Sequence, residues 1–211
     1  MPAEVARLRE LASSITFSDG RGTNPANTTK VNLQSALDDP KNTESTQIVT
    51  NAFERSREFR DFAFPRRIIP PRLLRYDAGM KYGMHSDSTF MTAPGGLLRS
   101  DVSATVFLSD PISYEGGELM IYVGSRSVVA KGTPGDVVLY PSTTLHEVKP
   151  VRSGQRLVSI TFIESVVPDQ QKRQLLYELN EVAALEGLKM KWENMIRLEA
   201  VRGNLLRMWS D

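Results

Sequence analysis

The chain has 211 residues, of which 40% are hydrophobic and 24% charged, and its formal net charge is +1. One domain with one large core suits that length, and no surplus of positive charge exists to hold a phosphate backbone, which excludes nucleic acid as a main partner. Cysteine is absent, so disulfides, thiolate metal sites and thiol nucleophiles are excluded and any metal must be held by nitrogen and oxygen.

In chain order, Val5, Leu8 and Leu11 recur at helical spacing in MPAEVARLRELASS, a start that lacks the long apolar stretch of a signal peptide. TFSDGRGTNPANTT is rich in turn formers. A second helix is expected through STQIVTNAFERSREFRDF, with Ile48, Ala52, Phe59 and Phe62 sharing a face. From Arg66 the texture changes to short runs of Ile, Val, Leu and Tyr between Gly, Pro, Ser and Asp. RRIIPPRLLRY, SATVFLS, ELMIYV, RSVVAK, DVVLYP, LHEVKPV and QRLVSITFIE read as strands. So many short strands in succession predict a mainly β protein with flanking helices and a double-stranded β-helix (jelly-roll) core.

After Pro168 the period becomes helical again, in DQQKRQLLYELNEVAAL and then LKMKWENMIRLEAVRGNLLRMW. In the latter, residues from Leu188 to Trp209 fall near one apolar stripe, which either braces the sheet or forms a homo-oligomer interface. The expected organisation is a single domain over 1–211, with an N-terminal helical and connecting segment at 1–65, the jelly-roll catalytic core at 66–167 and C-terminal helices at 168–211. No run approaches the ~18 apolar residues of a membrane span, so a cytoplasmic location with no membrane partner is expected.

The chain contains two histidines, His85 and His146. His85 and Asp87, two apart on an extended segment, point to the same side of it. His146 lies on another predicted strand, and in a jelly roll such strands can face each other across the interior. Two imidazoles and one carboxylate suit Fe(II), because three protein ligands leave open positions for a co-substrate and dioxygen. Zinc with the same ligands is the rival and favours hydrolysis. Arg156 separates the two, since a guanidinium on a strand beside that of His146 could grip the far carboxylate of a dicarboxylate chelating the metal.

The stretches RLLRYDAGMKYGMHSD, LRSDVSATVFLSDPISYEGGEL and GDVVLYPSTTLHEVKPVRSGQRLVSITFIES resemble the iron- and 2-oxoglutarate-dependent dioxygenases, in particular the bacterial PKHD-type hydroxylases, which are similar to prolyl 4-hydroxylases. The resemblance covers roughly residues 15 to 183. It implies that His85, Asp87 and His146 ligate Fe(II), that Arg156 holds the distal carboxylate of 2-oxoglutarate, and that Tyr76 lies beside that co-substrate. Phe107 stands where some prolyl hydroxylases have a second carboxylate-binding tyrosine, and a phenyl ring has no hydroxyl to offer.

The implied activity consumes 2-oxoglutarate and dioxygen, with ascorbate as a reductant. It releases succinate and CO2 and hydroxylates an unactivated C–H bond of a prolyl-like peptide side chain or a small amino-acid-like molecule. The alternatives are a zinc hydrolase and a non-catalytic metal- or 2-oxoglutarate-binding module on the same fold. Glu115 and Glu118 read as a turn, Tyr82 as core or pocket, and SDSTFMTAPGGLLRSD as a connection or a lid. Arg66, Arg67, Arg72 and Arg75 read as a solvated face or as an attractor for an anionic substrate.

Overall fold

The computed structural model describes residues 1–211 and is mainly β, with helices at both ends of the chain. Helix α1 (Pro2–Ser14) buries Val5, Leu8, Leu11 and Ala12, the face expected from their spacing. Helix α2 (Pro40–Arg55) starts where Asp39 accepts a hydrogen bond from the Lys41 amide and Pro40 supplies a preset φ at the first turn. The single helix expected over 45–62 is instead two. Ser56 ends α2 and caps α3 (Arg57–Ala63), its hydroxyl accepting from the Phe59 amide at 3.1 Å. The break rotates the buried face, so Val49, Phe53 and Phe59 go inward while Ile48 and Phe62 are only partly covered.

Two sheets carry the site. The first has seven strands: β1 (Phe17–Asp19), β3 (Leu33–Ser35), β4 (Pro65–Ile68), β5 (Arg72–Tyr76), β9 (Val102–Phe107), β13 (Val137–Pro141) and β16 (Arg156–Ser165). They run in the order β1-β3-β5-β16-β9-β13, with β4 also paired to β16. The second sheet has β2 (Lys30–Val31), β6 (Lys81–His85), β11 (Leu119–Val123), β12 (Arg126–Ala130) and β14 (His146–Val148), ordered β12-β11-β14-β6-β2. Two separate ribbons pair β7 (Phe90–Ala93) with β8 (Gly96–Arg99), and β10 (Tyr114–Gly116) with β15 (Val151–Gly154).

Alternation along the strands divides the core. One face of the first sheet, including Leu73, Val102 and Ile163, packs on Leu8, Val49 and Phe53 of the helices. Its other face, with Leu74, Tyr76 and Val158, meets Leu119, Ile121 and Val148 of the second sheet. Each such side chain, fully buried, contributes about 1.5–3 kcal/mol relative to exposure.

Three further sequence expectations change. The segment before residue 66 is not only helical and connecting, because β1, β2 and β3 supply strands to both sheets. The runs RRIIPPRLLRY and LHEVKPV each divide in two, since Pro70, Pro71 and Pro150 have no N–H to give a ladder. The segment SDSTFMTAPGGLLRSD, read as a connection or a lid, holds the β7–β8 hairpin. It turns on Pro94 and Gly95, and Gly95 has φ +86°, as a type II turn requires.

Helix α4 (Gln170–Glu186) buries Arg173, Leu176 and Asn180. Helix α5 (Trp192–Trp209) packs along α4 and buries no residue. Leu188 and Trp192, of the expected apolar stripe, are exposed, so α5 does little to brace the sheet. No helix is long and apolar enough to cross a membrane.

Candidate active site

The metal-ligand candidates converge, by a different route from the one the sequence suggested. His85 and His146 are not brought together across the interior. Strands β6 and β14 are antiparallel neighbours, and His146 is the cross-strand partner of His85. Their ring centroids are 4.2 Å apart. Asp87, just past the end of β6, is anchored by its amide donating to the Ser142 carbonyl at 3.1 Å. Its carboxylate lies 3.9 Å from His85 Nε2 and 3.7 Å from His146 Nε2. Ligand atoms from all three residues lie within 4.8 Å of one another.

The hydrogen bonds of the rings suit a cation. His85 Nδ1 is 2.8 Å from the Gly83 carbonyl and His146 Nδ1 is 2.9 Å from the Thr144 carbonyl. A carbonyl only accepts, so Nδ1 carries the proton in each ring and the Nε2 lone pair faces the shared space. Asp87 Oδ2 accepts from the Ser103 hydroxyl at 2.5 Å, and Ser103, Ser142 and Ser100 continue as a chain of hydroxyls with 2.8 Å links.

Burial shapes the charge of these groups. It pushes His85 down to about 4, with the charge of His146 adding to the effect, and it pushes the Asp87 carboxyl up against the opposing pull of His146 and Ser103. A neutral imidazole and a costly buried carboxylate are what a divalent cation would relieve. Tyr82 stacks on His85 with 3.7 Å between centroids and a 19° tilt, and its hydroxyl accepts from Asn24 at 3.0 Å. It is therefore a wall of the pocket.

Arg156 and Tyr76 are cross-strand partners on β16 and β5. The strand of Arg156 does not lie beside that of His146: β16 and β14 belong to different sheets. The guanidinium instead faces the triad from the opposite wall of one cavity of about 640 Å³. Arg156 is 1% exposed, its Nε has no hydrogen-bond partner, and its guanidinium carbon sits 5.0 Å from the Tyr76 ring centre and 5.9 Å from that of Phe107. A buried cation with an unsatisfied N–H is costly unless an anion completes it. Gly117, at φ +65°, gives it room, since a Cβ there would come within 3.0 Å of Arg156 Cδ. Asn32 donates to the Tyr76 hydroxyl at 2.9 Å.

Other singled-out residues separate. Glu115 is exposed near Arg152 and neither it nor Glu118 lines the cavity, which leaves them to the turn. Of the four arginines, Arg67 pairs with Glu164 and Arg75 with Asp77, Arg66 is exposed, and only Arg72 lines the cavity. Sequence reasoning missed Ser103, Asn32, Lys30 and Tyr114. The Tyr114 hydroxyl is buried without a partner in the field of Arg156. Lys30 is 6% exposed on the cavity wall, and burial pushes its ammonium down to about 8.

The model of the 2OG-Fe(II) oxygenase superfamily matches residues 71–164. A PKHD-type hydroxylase of Sphingopyxis alaskensis is 50% identical over 206 residues, covering 97% of this chain and 94% of the relative. One from Xanthomonas campestris pv. campestris is 40% identical over 219 residues, covering 100% and 95%. Among solved structures, a Pseudomonas putida prolyl-4-hydroxylase superposes with a TM-score of 0.58 at 20% identity, covering 77% of this chain and 84% of that one.

The fold is thus that of an iron- and 2-oxoglutarate-using oxygenase, and the chain belongs to the PKHD-type hydroxylase family. It is an enzyme that uses Fe(II) and 2-oxoglutarate, which sets aside the zinc hydrolase and the non-catalytic module. The likeness also runs past the 15–183 span seen in the sequence, through both C-terminal helices.

Proposed function

We propose that His85, Asp87 and His146 hold the Fe(II), that Arg156 with Tyr76 holds 2-oxoglutarate, and that the enzyme hydroxylates a C–H bond of a prolyl-like peptide side chain or a small amino-acid-like molecule. The two facing sheets are taken as the double-stranded β-helix core of such enzymes. The observation that carries the assignment is the pair of Nε2 atoms and one carboxylate turned on a common point, with a buried guanidinium whose Nε lacks a partner on the opposite wall.

When bound, Fe(II) supplies the oxygen chemistry, coupling loss of CO2 from 2-oxoglutarate to oxidation of the substrate. The chain's own residues bind, orient and exclude water. The Gly83 and Thr144 carbonyls fix both imidazoles with Nε2 inward. Ser103 turns Asp87 and bears part of its charge. Arg156, sealed from solvent beside Tyr76 and Phe107, gives the far carboxylate a charge-assisted partner where water does not weaken it. Phe107 has no hydroxyl for that end, and Tyr76 and Tyr114 are the phenols nearest the guanidinium.

The test is succinate formation from 2-oxoglutarate with Fe(II) and ascorbate. Wild type is expected to turn over 2-oxoglutarate slowly without a prime substrate, and Asp87→Ala is expected to fall to background. Equal rates in the two proteins would remove the assignment.

A further inference from the structure

Lys30 and Arg72 are two cations on the wall of the same cavity, and neither has a carboxylate partner. Lys30 spends one ammonium proton on the Thr23 hydroxyl at 2.7 Å, and Arg72 spends its Nε–H on the Ser35 carbonyl at 2.7 Å. Lys30 is more than nine-tenths buried. A buried ammonium is tolerated when something charged completes it.

Asp87 is the sole acidic residue lining the cavity. If the resident metal and 2-oxoglutarate are bound, their two positive and two negative charges cancel. Asp87 and Arg156 cancel as well. Lys30 and Arg72 are left over, facing the space that remains.

Position along the strand separates this pair from the co-substrate clamp. Arg72, Leu74 and Tyr76 alternate onto the cavity face of β5, with Tyr76 opposite Arg156 and Arg72 opposite Ile160. Four residues of strand span about 13 Å, longer than the carboxylate-to-carboxylate length of a five-carbon diacid. Arg72 is also held at its level by Ser35. The apolar side chains of Phe90 and Met91 line the same cavity, offering a surface for an uncharged body. No helix begins among the lining residues, and phosphate sites commonly rely on such N-termini.

We propose that Lys30 and Arg72 form an anion subsite for the prime substrate, and that this substrate bears a carboxylate next to an apolar body. The proposal rests on the assignment of Arg156 to 2-oxoglutarate made above.

The test uses full-length protein loaded with Mn(II) and saturating 2-oxoglutarate. The probes are benzoate, its neutral counterpart benzamide, and phenyl phosphate, and their binding is read from Mn(II)-induced broadening of the probe proton resonances. Wild type should bind benzoate at least tenfold more tightly than benzamide and more tightly than phenyl phosphate. Lys30→Met and Arg72→Met should each weaken benzoate at least fivefold, while changing the 2-oxoglutarate Kd less than twofold, and Lys30→Arg should restore most of the loss.

Equal binding of benzoate and benzamide, no broadening by any probe, preference for phenyl phosphate, or loss of 2-oxoglutarate instead of benzoate would overturn the proposal. If Lys30→Met does not fold, Arg72→Met at its partly exposed site carries the same test. Failure of the underlying assignment looks different: Arg156→Met would then keep wild-type 2-oxoglutarate affinity.

Discussion

At the scale of single residues, the site is a set of groups whose ordinary solution behaviour has been overridden by burial. His85 in the metal-free protein is the clearest case. Its folded value of about 4 lies below the ordinary 6.5, so between those limits the unfolded chain binds the proton and the folded chain does not. The stability contributed by the neutral ring is full above about pH 6.5 and is lost as pH falls toward 4. Metal affinity that depends on this ring being neutral should therefore weaken only at a pH below the ordinary histidine range. An NMR titration of the apoprotein should place the His85 ring midpoint near 4, and a midpoint at 6 or above would contradict the burial account.

Arg156 makes a complementary prediction. Losing a charge-assisted pair worth about 1.5–3 kcal/mol should weaken 2-oxoglutarate ten- to a hundredfold in Arg156→Met, with Mn(II) binding retained because His85 and His146 lie on the other sheet and Asp87 just past its strand β6. Calorimetric titration reads both affinities. His85, Asp87, His146, Arg156 and Tyr76, which line one cavity, could be singled out in the sequence because chemistry restricts residue type and the motif spacing is distinctive. Ser103, Asn32 and Lys30 could not, since a serine, an asparagine or a lysine gains meaning only from what it points at.

At the scale of elements, the strands rich in β-branched residues were legible and the pairings were not. Nothing in LYPSTTLHEVKP says that β14 adjoins β6, or that β16 adjoins β5 and β9, because strand order is fixed by contacts distant in sequence. The three N-terminal strands are two or three residues long, too short to leave a periodic trace. Yet β2 brings Lys30 to the cavity, and Asn32, just beyond it, holds Tyr76.

The β7–β8 hairpin belongs to neither main sheet and supplies no ligand candidate, but Phe90 and Met91 face the cavity. Exchanging both for alanine should leave Mn(II) and 2-oxoglutarate affinities within about twofold. It should also raise the water-proton relaxation caused by bound Mn(II), as solvent gains entry. Unchanged relaxation would mean the hairpin is a connection and no lid.

At the scale of the whole molecule, the helices and the site load opposite faces of one sheet. Leu73 points to the helices and Leu74 to the cavity, so stability and ligand binding can be perturbed separately. Leu73→Ala, at a position 1% exposed, should cost about 3 kcal/mol, within the range for buried leucine truncation, and lower Tm by roughly 6–12 °C. 2-Oxoglutarate affinity measured well below the new Tm should be nearly unchanged. Leu188→Ser, at a fully exposed site, should move Tm by no more than about 1–2 °C, consistent with a change within about 0.5 kcal/mol. A large fall there, seen by calorimetry across protein concentrations, would show that the residue is covered in solution.

The facing positions of His85 and His146 have a mechanical side. The ladder between β6 and β14 shifts register immediately beyond His146, so few backbone bonds pin these two strands where they adjoin. A cation gripped from both would act as a rivet across that seam. Amide exchange in β6 and β14 should then slow on adding Mn(II), making local fraying of the sheet a gauge of how full the centre is.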